Sequence, residues 1–238
     1  MGVGYEPGIA GRHGTVLDTI GLQITSGELP EGHVLTLEGI QDRFGVSRTV
    51  ARETMRILES MGLVSSRRRV GITVLGAASW NVFDPRVIWW RLSGTGRAAQ
   101  LRSLTELRIA VEPLAAGAAA RSASAGQRDR AVALAHEMRD LGERGELDAF
   151  LQCDIAFHTL LLHASGNEMF GALADVVAVV LQGRTQLGLM PHQPVPEALD
   201  LHERVASAVA GGRPVDAEEA MRELLAEVRD AMLPLWRR

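Results

Sequence analysis

The chain has 238 residues, 46% of them hydrophobic and 23% charged, enough for one large core or for one small and one medium core. No apolar run reaches the roughly 20 residues of a membrane span, and the opening MGVGYEPGIAGRHG lacks the charged-then-apolar order of a signal peptide, so a cytoplasmic protein is expected. A net charge of -4 excludes a protein that coats nucleic acid along its whole length, and the lone Cys153 excludes an internal disulfide and a zinc ribbon.

Between Thr15 and Thr25 the apolar residues Val16, Leu17, Ile20, Leu22 and Ile24 recur at helical spacing, and SGELPEG ends the run. Thr36 suits the N-cap of a short helix through Arg43, with Leu37 and Ile40 on its apolar side, and Gly45 breaks it. Ser47 then caps a second helix. In it Val50, Met55, Leu58 and Met61 face inward, while Arg48, Arg52 and Arg56, four residues apart, share the other face, and Gly62 closes the run. The following LVSSRRRVGITVL is β-branched at both ends around a charged, glycine-containing middle, the pattern of a hairpin. Two helices joined by a tight turn and followed by a hairpin make a winged helix-turn-helix, whose second helix enters the major groove of DNA.

All the basic side chains are arginine, and seven fall between Arg43 and Arg69 against two acids, Glu53 and Glu59. A solvated helix face with surface ion pairs would account for single charges. It does not account for arginines that begin at a helix N-terminus after a glycine turn and continue as Arg67, Arg68 and Arg69 on a hairpin tip. Duplex phosphates do.

After Leu75 the small residues GAASWN read as a linker, and Asp84-Pro85 reads as an N-cap with proline at the first helical position. The segments 95–123, 127–144, 146–165, 168–189, 196–212 and 214–236 all carry helix-period apolar positions between Gly, Pro or Ser breaks. The expected fold class is mainly α: a winged helix-turn-helix over residues 1–76, a linker over 77–83 and an all-helical bundle of six or seven helices over 84–238.

In the bundle, Asp154 and His158 are four apart and project from one helix face among apolar neighbours. They form either a buried hydrogen bond or a metal or ligand site. His202, on another helix, could add a third ligand, and an Asp-His-His set suits zinc or a similar divalent ion. Arg108 lies among Leu107, Ile109 and Val111, and a buried guanidinium needs an acid: Glu112 one turn on, or the carboxylate of an effector. His136, His163 and His192 lack such a context and read as surface or structural histidines, and Cys153 as an ordinary, partly buried thiol.

The string GVSRTVARETMRILESMGLV, with LTLEGIQDRF before it and RRRVGITV after it, resembles the N-terminal domain of GntR-type bacterial transcription regulators. That resemblance implies that Arg48 and Thr49 contact bases or phosphates, that Arg52 reaches a base edge, and that Arg67 and Gly71 belong to the wing. Many members carry an arginine where this chain has Gly39, so that contact is missing here. ELRIAVEPLAAGAAA, DIAFHTLLLHASGN and the LHE of residues 201–203 resemble the FCD ligand-binding domain of the FadR branch, and WNVFDPRVIWWRL is similar to the linker and first helix of its galactonate-operon repressors. The resemblance implies a metal set of one Asp and three His. Asp154, His158 and His202 match three of them, and the fourth would fall near Leu224. It also implies that Arg108 meets an effector carboxylate, with Arg184 and Asn167 near the same pocket.

The expected function is a homodimeric DNA-binding regulator, a repressor that leaves its palindromic operator when it binds a small carboxylate such as a sugar acid. The rival is a metal-dependent enzyme acting on a small carboxylate. Neither G-x-S-x-G nor H-E-x-x-H occurs, and no general base stands evidently beside the polar trio, so no enzyme is expected. A purely architectural DNA-binding bundle would gain little from Asp154 and His158 in its core.

Overall fold

The computed structural model describes residues 12–67, 71–188 and 194–236. They divide into two compact units, one ending at Gln100 and one beginning at Leu101.

The first unit contains α1 (Arg12–Thr25), β1 (Val34–Leu35), α2 (Leu37–Phe44), α3 (Arg48–Ser60), β2 (Val64–Arg67), β3 (Gly71–Val74) and α4 (Pro85–Ser93). The α2–α3 turn is built by local chemistry. Thr36 Oγ1 accepts the amide of Gly39 at 3.0 Å, Gly45 takes the left-handed conformation at φ 62° that ends α2, and Ser47 Oγ accepts the amide of Val50 at 3.3 Å to start α3. Met55, Leu58 and Met61 are buried with Val16, Leu17, Ile20, Ile40, Val64 and Val74 in one core. The sheet order is β1-β3-β2, antiparallel throughout, with Ser66 opposite Ile72 and Arg67 opposite Gly71. Strand β1 has two residues, too short for alternation to announce it.

The connection expected over residues 77–83 is packed into this unit. A single 3₁₀ turn, Ala77–Ser79, follows β3, and Trp80 Nε1 donates to Leu75 O at 3.1 Å. Beyond it, Val87 and Trp90 of α4 are buried in the first unit's core. Trp90 Nε1 donates to Asp18 Oδ1 at 3.0 Å, and its ring lies over Gly21, where a β-carbon would come within 2.5 Å of the ring carbons. The helix expected to open the bundle therefore completes the first unit, because an aromatic side chain finds its place 72 residues back in sequence.

The second unit is helical in its described residues: α5 (Arg97–Ser122, its first turn preceding Leu101), α6 (Ala125–Arg144), α7 (Leu147–Ala164), α8 (Glu168–Gly171), α9 (Ala174–Gln186), α10 (Pro196–Ala210) and α11 (Pro214–Trp236). The expected 168–189 segment is two helices, α8 and α9. Helix α10 packs on α6 and α11, and α7 on α6 and α9. Ala116, Leu134, Met138, Phe157, Val205 and Met221 fill the middle at 0–1% exposure. Among the described residues no helix is long and apolar enough to cross a membrane.

Candidate functional site

The sequence places its chemistry in two regions, one in each unit. In the first, Arg48, Thr49, Arg52 and Arg56 are all exposed on α3, while Ala51, Thr54, Met55 and Leu58 are buried on the opposite face. Arg56 is 3.7 Å from Glu53, a solvent-exposed pair worth a few tenths of a kcal/mol or less. Glu59 has a different contact. Its Oε1 accepts the amide of Ser66 in β2 at 2.8 Å. The Arg67 side chain, Arg68 and Arg69 lie outside the described residues. Gly71 opens β3 at φ 106°, a conformation L side chains rarely adopt, and a β-carbon there would lie 2.9 Å from Val34 Cγ1. The geometry gives Gly71 a backbone role in the wing.

In the second unit six charged or polar side chains meet in the apolar interior. Asp154 and His158 come from α7, His202 from α10, Arg108 and Glu112 from α5, and Arg184 from α9, all with at most 8% exposure. The trio Asp154, His158 and His202 offers three ligand atoms within 4.8 Å of one another. Asp154 Oδ1 is 3.2 Å from His158 Nε2 and 3.3 Å from His202 Nε2. Those distances suit hydrogen bonds but the directions do not, since neither Asp154 Oδ1 nor His202 Nε2 has an aligned partner. A tetrahedral ion with ligands at about 2.0–2.2 Å holds its ligand atoms about 3.4 Å apart, and the two distances from Asp154 Oδ1 are close to that spacing.

The far side of each imidazole points the same way. His202 Nδ1 is 2.6 Å from the carbonyl of Ala198, and His158 Nδ1 is 2.6 Å from Glu112 Oε2. Neither acceptor can donate, so each Nδ1 carries a proton, and Nε2 is the ring atom left on the side of Asp154 for an ion to take. Outer acceptors that fix the tautomer of a metal-binding histidine have this arrangement. The trio thus fits a divalent cation, with Glu112 behind His158 and Ala198 behind His202. Phe157 packs edge-on to both rings, with centroids 5.7 and 5.4 Å away, and keeps their tilt.

Charge is dense around this centre. Arg108 Nε and Nη2 bind the two oxygens of Glu112 at 2.5 and 3.2 Å, so the intrahelical acid four residues on takes one fork of the guanidinium. Nη1 of Arg108 is buried with no hydrogen-bond partner. Burial penalises the Glu112 carboxylate, but Arg108 and His158 overcome it and bring its pKa down to about 2. Asp154 is held well below the usual carboxylate range against the same burial by His158 and His202. Burial would discharge His158, yet Glu112 and Asp154 raise its pKa. Arg184 is pulled down to about 10, first by burial and then by Arg108, so the two guanidiniums feel one another. On α11, half-buried Glu227 has its pKa raised by burial, against the pull of Arg184 and His202.

Of the residues singled out in the sequence, Asp154, His158, His202, Arg108 and Arg184 come together. Asn167 does not join them: it is exposed and its Oδ1 caps α8 by accepting the amide of Met169 at 2.9 Å. Leu224, in the position of a fourth ligand, is 2% exposed and part of the apolar core. His136 and His163 are exposed, Cys153 is a buried free thiol, and His192 lies outside the described residues. Two participants were not legible as such. Glu112 was visible as a partner for Arg108 but not as the carboxylate behind His158, and Glu227 looks like any acid on an amphipathic helix.

Two family models match the chain. Residues 13–74 match the gntR family of bacterial regulatory proteins and residues 103–227 match the FCD domain, more than half of the chain. The galactonate operon transcriptional repressor of Escherichia coli is 26% identical over 215 residues, spanning 89% of this chain and 92% of its own. The HTH-type transcriptional regulator LutR of Bacillus subtilis is 29% identical over 217 residues, spanning 88% and 95%. Among solved structures, E. coli McbR/YncC aligns over 96% of this chain and all of its own with a TM-score of 0.55 at 14% identity, a likeness of fold. Both of these curated relatives are named as transcriptional regulators. The chain belongs to the gntR family of bacterial regulatory proteins, in the group whose DNA-binding domain is followed by an FCD domain.

Proposed function

We propose that this regulator binds a palindromic operator as a homodimer and leaves it when a small carboxylate, of the sugar-acid class, enters the buried cluster of the second unit. The observation that carries this reading is the convergence of Asp154 Oδ1 with two histidine Nε2 atoms beside the unpartnered Nη1 of buried Arg108. Asp154, His158 and His202 would hold a divalent ion such as zinc, which supplies a Lewis-acidic position for an oxygen ligand. Leu224 offers no donor, so the protein provides three ligands and leaves the rest of the shell to water or effector. Arg108 Nη1 and Arg184 supply positive charge and donors for a carboxylate, and half-buried Glu227 can accept from an effector hydroxyl. The galactonate operon repressor among the relatives supports sugar acids as the first class to try.

On the DNA side, Arg48, Thr49 and Arg52 at the start of α3 meet base edges and phosphates, and the wing follows the adjacent backbone. One such head spans few base pairs, so useful affinity calls for two heads and a two-fold site. Action on the chromosome places the protein in the cytoplasm. The test is a thermal-shift screen of the full chain against sugar acids and short organic acids, with zinc and with a chelator. A shift for one class of acid that grows with zinc supports the reading. Shifts that are the same with and without zinc would refute the metal in it, and no shift with any acid would refute the effector class.

A further inference from the structure

The wing hairpin has an open edge, and one side chain of α3 occupies it. Among the described residues strand β2 is an outer strand, paired with β3 alone. Leu75 donates its amide to Leu63 O at 2.8 Å, and Val64 faces Val74 and Ser66 faces Ile72. In an antiparallel ladder bonded pairs alternate with non-bonded ones, so the bonding set runs through 63, 65 and 67 and the amide of Ser66 points away from β3. Glu59 Oε1 accepts that outward amide at 2.8 Å. Both Glu59 and Ser66 are exposed, so water could satisfy the amide equally well and burial does not explain the contact. Glu59 is also one of only two acids among seven arginines, in the position where a negative charge repels a phosphate backbone. A carboxylate placed there weakens DNA binding unless it does something else for it.

We propose that Glu59 is a positioning residue that fixes strand β2 of the wing to the recognition helix, so that the wing meets the duplex at a set angle to the arginines of α3. A two-residue link from Arg67 to Glu59 through Ser66 ties the start of the tip to the last turn of α3. Holding the hairpin at a fixed angle removes freedom the wing would otherwise lose on binding, which raises affinity without any contact of Glu59 to DNA. The inference rests on the reading that the wing touches DNA.

The test uses the full chain and a duplex selected by the wild-type protein from a random-sequence library, at fixed salt. Glu59→Ala is expected to weaken binding about threefold to tenfold, the affinity equivalent of one net hydrogen bond. Glu59→Gln keeps an acceptor for the Ser66 amide and removes the charge, so it should bind as tightly as wild type or tighter. Combined with Arg68→Ala, the Glu59→Ala change should lose most of its effect, because there is less left to position. Equal or tighter binding by Glu59→Ala, loss in both Glu59 variants, or full additivity with Arg68→Ala would each overturn the proposal. If Arg68→Ala alone leaves binding unchanged, the fault lies with the wing reading and not with Glu59.

Discussion

Glu112 Oε2 lies 2.6 Å from Nδ1 of His158 while the same carboxylate holds Arg108 through both of its oxygens. One buried acid thus orients an imidazole toward Asp154 and neutralises the guanidinium beside it, so the proposed ion site and the proposed anion site share a single support.

Glu112→Gln should therefore damage both. The amide still accepts from His158 but leaves Arg108 buried without its counter-charge, and breaking a buried pair on one side costs about 3 to 5 kcal/mol. Zinc affinity should fall about tenfold to a hundredfold, as removal of an outer-sphere carboxylate does in other zinc sites. Denaturant titration and chelator competition measure the two effects. A variant as stable as wild type, binding zinc as tightly, would show that Glu112 supports neither.

The metal-free chain should have a stability profile that zinc inverts above neutrality. Glu112 and Asp154 have lowered pKa values, so their contribution is present above the ordinary value of 4.5 for Glu112 and is lost as pH falls toward about 2. His158 is raised above its ordinary 6.5, so its contribution is complete below that pH and is lost as pH rises through the folded value. With chelator, stability should decline from pH 6.5 upward. With zinc it should rise over the same range, because the ion takes the neutral imidazole. Urea midpoints at pH 6, 7 and 8 decide this, and parallel curves with and without zinc would contradict it.

Gly21→Ala should destabilise the first unit. The new methyl group would fall 2.5 Å from the ring of Trp90, which is 2% exposed and cannot swing away without giving up Asp18. Overpacking of this kind costs about 1 to 3 kcal/mol. A fragment ending at residue 76 should suffer more, since it lacks Val87 and Trp90 of the core, whereas one ending at residue 100 should fold. Equal melting temperatures for the two fragments would contradict the assignment of α4 to the DNA-binding unit.

Arg52→Ala should cost about 1 to 3 kcal/mol on a selected duplex and relax its sequence preference, whereas Arg68→Ala should weaken all sequences more evenly. Anisotropy titrations on the selected and scrambled duplexes separate the two. Unchanged binding by Arg52→Ala would remove α3 from the role of recognition helix.

What the sequence announced was what local chemistry controls. Thr36 and Ser47 accept amides three residues on, Gly45 donates its own to the carbonyl of Gln41 four residues back, and Asp154 and His158 are one turn apart, so capping rules and helical spacing reach them. What escaped depends on contacts between distant segments. Trp90 joins the first unit through Asp18 and Gly21, and Glu112 reaches His158 across two helices. Asn167, placed near the pocket by resemblance alone, has a local task that its sequence also suits: a short polar residue after a glycine serves a helix N-terminus, and here it caps α8.

The most direct measurement is zinc bound per chain, by equilibrium dialysis and elemental analysis of the chelator-stripped full-length protein. The account predicts one zinc per wild-type chain, none in His158→Ala or His202→Ala, and DNA binding retained in both variants. Arg108→Ala should keep the ion and lose only the response to acids. A wild-type chain that takes up no zinc, nickel or manganese, or histidine variants that take up as much as wild type, would contradict it.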